Sequence, residues 1–320
     1  MESVLQSVKF LMPKSDCTVA ECEDAVAVND SLGRYAIADG ATEAFDAGKW
    51  AKKLTEAWVA AERDTVFGEE FREARADASF ATANHQARKR SGGKALASVI
   101  KQFGGRVKGS GVSSVLEPSR MEASGNARAE FREKFKEWVS PLGKDLQISW
   151  AGQRLTWYRE EKARSGSFAA FVGLEIRELQ NAWLWRAVSL GDSCLVHLKN
   201  DGGYKSWPIE DQRTFNSSPV LVPSLPDTQM SAFDCANILY GNLERGETLL
   251  LLSDAVAAWF IGRAEAKDPI RLCFESLWTS EKTAHLEEIF TGERTRGRLK
   301  DDDIAIAAIR VTADNGQTAG

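Results

Sequence analysis

Carboxylates stand at the ends of several short apolar runs in this chain. Glu23-Asp24 precedes Ala25 to Val28, Asp39-Gly40 follows Tyr35 to Ala38, and Asp192 sits in Gly191-Asp192-Ser193. Asp254 closes Glu247 to Ser253, and Asp301 to Asp303 precede Ile304 to Val311. A single Asp at a strand end commonly caps a turn, whereas four such places together, Glu23/Asp24 with Asp39 counted as one, point to a divalent cation. Like charges held close repel unless a cation lies between them or one pKa is raised. The chain has only three His and five Cys, with no C-x-x-C pair, so the ligands are hard oxygens that suit Mg²⁺ or Mn²⁺ and not zinc. Several carboxylates can hold two such ions close enough to share a water, lower its pKa and offset charge on a phosphoryl group.

The elements that must position these groups are legible in part. Asp24 to Val28 and Tyr35 to Asp39 flank the turn formers Asn29 to Gly33, which reads as an antiparallel hairpin. Symmetric pairing about that loop sets Asp24 opposite Asp39, with Glu23 beside them at one end of a sheet. Gly40 leaves its carbonyl free to approach a metal. Val8 to Met12 reads as an edge strand. A helix is expected from Ala41-Thr42 to about Arg63, with Thr42 as N-cap and Trp50, Leu54, Ala57, Trp58 and Ala61 on its apolar face. A second is expected from Glu69 to Arg90, a short one from Ala127 to Val139, and a longer one from Leu146 to Arg164 with Trp150, Leu155 and Trp157 as core candidates. After Gly166 the period becomes two: Ser167 to Leu174, Trp183 to Leu190 and Cys194 to Leu198 read as strands, with Asn200 to Gly203 as a hairpin turn. Trp183 and Trp185 share one strand face, and His85, His197 and His285 are scattered. Trp207 to Asn237 reads as a long surface loop or flap. Glu247 to Asp254 is a buried strand leading into a helix from Ala255 to Ala266, with a further helix near Ser280 to Phe290 and a last strand from Ile304 to Val311.

At 320 residues and 43% hydrophobic content, with ten Trp, the chain can bury a sizeable core. A net charge of −5 argues against a nucleic-acid binder. The apolar run from Thr248 to Gly262 is interrupted by Asp254 and falls short of a membrane span, and the N-terminus lacks the pattern of a signal peptide. Unpatterned thiols suit a reducing compartment, so a cytoplasmic protein is expected. From Gln86 to Leu116 there is no Asp or Glu, while Arg88, Lys89, Arg90, Lys94, Lys101, Arg106 and Lys108 are all basic. This reads as a basic, loop-rich insertion over about 86–125 within a single domain of 1–312, and residues 313–320 read as a disordered tail.

The ordered set Glu23-Asp24, Asp39-Gly40, Gly166-Ser167, Gly191-Asp192-Ser193, Ser253-Asp254 and Asp302-Asp303-Ile304 resembles the PP2C-like metal-dependent serine/threonine phosphatases, from about residue 15 to 311. That resemblance implies an α+β fold, an α-β-β-α sandwich of two antiparallel sheets between helices with the metal centre at one end. It implies that Asp39 bridges two metals, that the Gly40 carbonyl binds one of them, and that Asp254 and Asp302 ligate the other. Glu23 and Asp24 match the acidic pair that holds metal-bound waters, and Asp192 with Asp254 matches a weaker third site of bacterial members. Asp301 and Asp303 are expected as solvated neighbours of Asp302, with the register of the acidic triplet open by one residue. The implied reaction is direct attack of a metal-bridging hydroxide on phosphoserine or phosphothreonine in a protein, with no phosphoenzyme. A regulatory module that binds phosphoproteins without turnover, or a phosphatase of small molecules, are the alternatives.

Three positions depart from the family pattern. The phosphate-holding Arg four residues before the acidic pair is Val19 here, with Lys14 as the nearby substitute, a point charge without the bidentate fork. The His after the Asp-Gly pair in many eukaryotic members is Ala41, which leaves leaving-group protonation to water. The Gly after the Ser-Asp pair is Ala255, strained by about 1 kcal/mol if that position needs a positive φ.

Overall fold

A computed structural model describes residues 3–61, 125–151, 154–179, 182–215, 218–225, 229–266, 271–278 and 283–313. The strands in chain order are β1 (Ser3–Met12), β2 (Asp24–Asn29), β3 (Arg34–Gly40), β4 (Phe168–Leu179), β5 (Ala182–Leu190), β6 (Cys194–Leu198), β7 (Tyr204–Trp207), β8 (Val222–Pro223), β9 (Asn237–Leu243), β10 (Thr248–Leu252) and β11 (Ile304–Ala313). The α-helices are α1 (Ala47–Ala60), α2 (Gly125–Trp150), α3 (Trp157–Ser165), α4 (Asp254–Glu265), α5 (Arg271–Glu275) and α6 (Ala284–Thr295).

Two antiparallel sheets face each other, one in the order β1-β11-β10-β6-β7 and the other β2-β3-β4-β5-β9, with β8 paired to β4. Alternation along each strand decides what lies between them. Tyr35 and Ile37 on β3, Val172 and Leu174 on β4, Leu249 and Leu251 on β10, and Ala305, Ala307 and Ile309 on β11 fill the inter-sheet core. The intervening residues face outward. Ala36, Ala38 and Phe171 pack under Trp50, Leu54 and Trp58 of α1 and Phe135 and Trp138 of α2. On the other side Val196, Leu250, Ile306 and Ala308 pack under Val256, Trp259 and Phe260 of α4 and Leu286 and Phe290 of α6. The result is the expected α+β, α-β-β-α layering.

Several elements differ from the sequence expectation. Helix α1 starts at Ala47, behind Asp46 in a left-handed conformation, and not at Thr42. Thr42 donates its hydroxyl to Glu23 Oε2 at 2.7 Å, a bond to a residue far in sequence that competes with local capping. Helix α2 runs without a break through Pro141, where two helices were expected. A mid-helix proline costs about 3 kcal/mol, but Phe131, Phe135, Trp138, Val139, Leu146 and Trp150 are all buried along this helix and hold it together. Trp157 opens α3 and is 77% exposed, so it is not a core residue; its polar helix buries no residue. The stretch after Trp207 is less superficial than a flap, since Val222 and Phe233 are buried and Val222 pairs with Ala169. The helix expected over Glu69 to Arg90, the basic insertion up to Ser124, and the tail beyond Ala313 lie outside the described residues. Among the described residues no helix is long and apolar enough to cross a membrane.

Candidate metal centre

The β2-β3 hairpin holds Asp24 directly opposite Asp39 in its register. β3 in turn pairs with β4 so that Asp39 faces Ala170 and Gly40 faces Ala169. Gly191, with φ of 107°, brings the β5–β6 turn against Ala170, where a Cβ would stand 2.5 Å from the alanine methyl. That turn carries Asp192. From the facing sheet, β10 ends at Leu252 and hands over to Ser253-Asp254 at the N-terminus of α4, while β11 is entered through Asp301 to Asp303. Ser253 stitches these two entries together: its amide donates to Ala305 O at 3.1 Å and its hydroxyl accepts from Ala305 N at 3.0 Å. The β2-β3 hairpin, the β5–β6 turn, the end of β10 and the entry of β11 therefore meet at one end of the sandwich.

The acidic groups crowd one another in a buried setting, and each disfavours the charge of the next. Burial, followed by the charges of Asp254 and Asp303, pushes Asp24 well above the carboxylate range, against a hydroxyl bond from Ser253. Burial and the charges of Asp24, Asp254 and Asp192 do the same to Asp39. Asp192 is pushed up to about 6 by burial and by Asp254. Asp24 Oδ2 is buried with no hydrogen-bond partner. As the side chains stand, no group of three or more His, Cys, Asp or Glu among the described residues is arranged to hold a metal ion. The donor chemistry nonetheless fits a hard divalent cation: the groups are oxygens only, they repel each other in low dielectric, and one buried oxygen is unpartnered.

The acidic triplet divides its roles. Asp303 is 4% exposed, and its two oxygens accept the amides of Lys14 at 2.8 Å and Glu23 at 2.7 Å, which clamps the β1 exit and the start of β2 to the entry of β11. Asp302 points elsewhere, to Lys300 Nζ at 2.6 Å, and Asp301 accepts from Ser15 at the surface. Glu23 is half-buried; its Oε2 accepts from Thr42, lies 3.6 Å from Lys14 Nζ, and its carbonyl accepts the Gly40 amide at 3.2 Å. Gly40 has no space for a side chain, because a Cβ would stand 2.7 to 2.9 Å from the backbone of Ala47 and Glu23. Burial opposes the charge of Lys14, but Glu23, Asp303 and Asp302 outweigh it and hold its pKa above the ordinary value. Val19 is 61% exposed on a short 3₁₀ turn closed by Thr18 and Glu21. Ala255 carries no strain: it lies in the first turn of α4, and the only described non-glycine residues with positive φ are Asp16 and Asp46.

Sequence reasoning missed Ser253 as a hinge between two strands, Asp303 as a clamp and Lys300 as a neighbour of Asp302. A Ser before a helix reads as a cap, and only the register of β10 on β11 gives it a second partner. His197, also unassigned, is buried at the far end of β6 against Glu247 at 2.9 Å, outside this centre.

The raised carboxylates make the metal-free fold sensitive to pH. Folded Asp24, Asp39 and Asp192 keep protons that the unfolded chain, with Asp near 3.8, has already released. The stability they allow is complete below that value and falls as pH rises through about 6 for Asp192 and higher for the pair. Buried His197 is pushed down by desolvation and works in the opposite direction, but it is the same with or without metal. The gap in denaturation midpoint between Mn²⁺-loaded and chelated protein is therefore expected to widen from about pH 5 to about pH 8. A gap that stays constant contradicts a carboxylate metal centre.

No family model matches the chain, and no curated protein matches its sequence. Solved structures do match, each at low identity. PppA, a key regulatory component of T6SS in Pseudomonas aeruginosa, is 15% identical over 97% of this chain and 100% of its own, with a TM-score of 0.46. The catalytic domain of the serine/threonine protein phosphatase PstP, in complex with two manganese ions, is 12% identical over 98% and 100%, with a TM-score of 0.46. The serine/threonine phosphatase Stp1 from Staphylococcus aureus is 10% identical over 97% and 96%, with a TM-score of 0.49.

Proposed function

We propose that this chain is a PP2C-like phosphatase that uses Mg²⁺ or Mn²⁺ to hydrolyse phosphoserine or phosphothreonine in a protein. The observation that carries the reading is the convergence of Asp24, Asp39, Asp192 and Asp254 from four strand ends, mutually repelling and with a buried oxygen unpartnered. When bound, the divalent ions would supply a water of lowered pKa and neutralise charge on the phosphoryl group. Asp39 and the Gly40 carbonyl would hold them from the six-stranded sheet, and Asp254 and Asp302 from the other side. Asp192 would take part in a weaker site, and Glu23 with Asp24 would orient waters, Glu23 being fixed for this by Thr42. Lys14, whose charge the surrounding carboxylates favour, would hold the phosphate in place of the family's Arg, with less directionality. Ala41 offers no proton, so the leaving group would be protonated by water.

The test is hydrolysis of p-nitrophenyl phosphate and of a phosphothreonine peptide, with and without Mn²⁺, in wild type and Asp254→Asn. Turnover that requires Mn²⁺ and disappears in the variant is expected. Mn²⁺ binding without turnover of any phosphopeptide would instead favour the recognition module that the Val19 position suggests.

A further inference from the structure

Lys300 precedes β11 by four residues, in the loop that delivers the acidic triplet. A tight turn, with the Asp302 amide donating to the Lys300 carbonyl at 3.0 Å, folds this lysine back over the end of the sandwich. Arg294 fixes the turn from α6: its guanidinium donates to the Asp302 carbonyl and, at 2.9 Å, to the Pro13 carbonyl, and its Nε lies 3.5 Å from Asp301. The Lys300 ammonium is thereby set 2.6 Å from Asp302 Oδ2 and 3.5 Å from Asp254 Oδ2. These two carboxylates come from different strand ends, and one cation spans both. The Lys300 side chain is itself 64% exposed, so it has open solvent to swing into.

We infer that Lys300 is a built-in competitor for the divalent cation between Asp254 and Asp302: a metal drawn to both oxygens must first displace the ammonium. The inference rests on the metal-centre reading above. A lysine side chain carries its charge at neutral pH, and the two ion pairs to Asp302 and Asp254 hold it where the cation would sit. A site that is open for only part of the time binds with an apparent dissociation constant raised by the inverse of that fraction. The lysine therefore sets the cation concentration at which this half of the centre fills, while the half built from Asp39 and Gly40 is unaffected. Removing the positive charge is expected to tighten one class of Mn²⁺ site and leave the other unchanged.

The experiment is titration of the full chain with Mn²⁺ alone, followed by calorimetry and by the electron paramagnetic resonance signal of free Mn²⁺, in wild type, Lys300→Gln and Lys300→Arg. A roughly tenfold tightening is expected in Lys300→Gln, the change that follows if the ammonium leaves the site open about a tenth of the time, with Lys300→Arg remaining at the wild-type affinity because it keeps the charge. Identical isotherms for all three proteins, with Mn²⁺ bound, overturn the role of Lys300 and leave the phosphatase reading intact. Equal tightening in Lys300→Arg also overturns it, since side-chain shape and not charge would then be responsible. Absence of Mn²⁺ binding in every protein overturns both.

Discussion

Asp39→Asn is expected to abolish metal-dependent phosphate release while leaving the chain folded. Asp39 lies opposite Asp24 in the hairpin and feels the charges of Asp24, Asp254 and Asp192 together, which is the position that the proposed function asks of a group shared by both ions. Losing several kcal/mol of charge stabilisation at the reacting phosphoryl group corresponds to a fall of about 10³-fold or more in kcat/KM. Stability should move the other way. The variant removes one of two buried like charges and keeps the shape, so metal-free Asp39→Asn should unfold at the same or higher denaturant concentration than wild type near pH 8. Chelator and Mn²⁺ should then shift its midpoint far less than they shift wild type. Activity within about tenfold of wild type would remove Asp39 from the centre.

Glu175→Ala is expected to destabilise the fold by about 3–5 kcal/mol, because it strips the counter-charge from fully buried guanidinium groups. Glu175 is wholly buried on β4, and the sheet register sets it directly between Arg34 on β3 and Arg186 on β5. Its Oε2 accepts from Arg34 at 3.3 Å and from Arg186 at 3.0 and 3.2 Å, while Oε1 accepts from Arg177 Nε at 2.5 Å. Arg34 continues the arrangement outward, donating to the Trp58 carbonyl at 3.0 Å and lying 5.1 Å above that indole ring. α1 is therefore tied to the sheet through these charges, and the loss should appear in both the denaturation midpoint and the Trp fluorescence of the native state. Glu175→Gln, which keeps the shape and two acceptor lone pairs, should lose less. A cost below about 1 kcal/mol for Glu175→Ala would mean that water replaces the carboxylate.

Much of the site is written locally. The turn formers from Asn29 to Gly33 fix a symmetric hairpin, and a symmetric hairpin has only one partner for Asp24, which is Asp39. The period-two runs fix which residues face the partner sheet, and hence the layer order, because a slip of one residue would expose Ile37, Val172 and Leu251 together. The Gly191-Asp192-Ser193 and Ser253-Asp254 turns follow from strand length and small residues at the breaks.

What the sequence could not contain are decisions made between segments far apart in the chain. Thr42 reads as a helix cap, yet Glu23 is its partner, because closing the β2-β3 hairpin sets the residue before β2 beside those that follow β3. Pro141 reads as a break, yet buried aromatic contacts outweigh the lost helical hydrogen bond. Three successive acidic residues are equivalent on paper. Packing separates them: Asp303 is drawn inward by the amides of Lys14 and Glu23, Asp302 turns to Lys300, and Asp301 stays at the surface. Composition and spacing thus determine which residue types reach this end of the molecule, since those signals act over a few residues. Which carboxylate is buried, and which lysine opposes it, depends on long-range contacts whose free energies only the folded chain brings together.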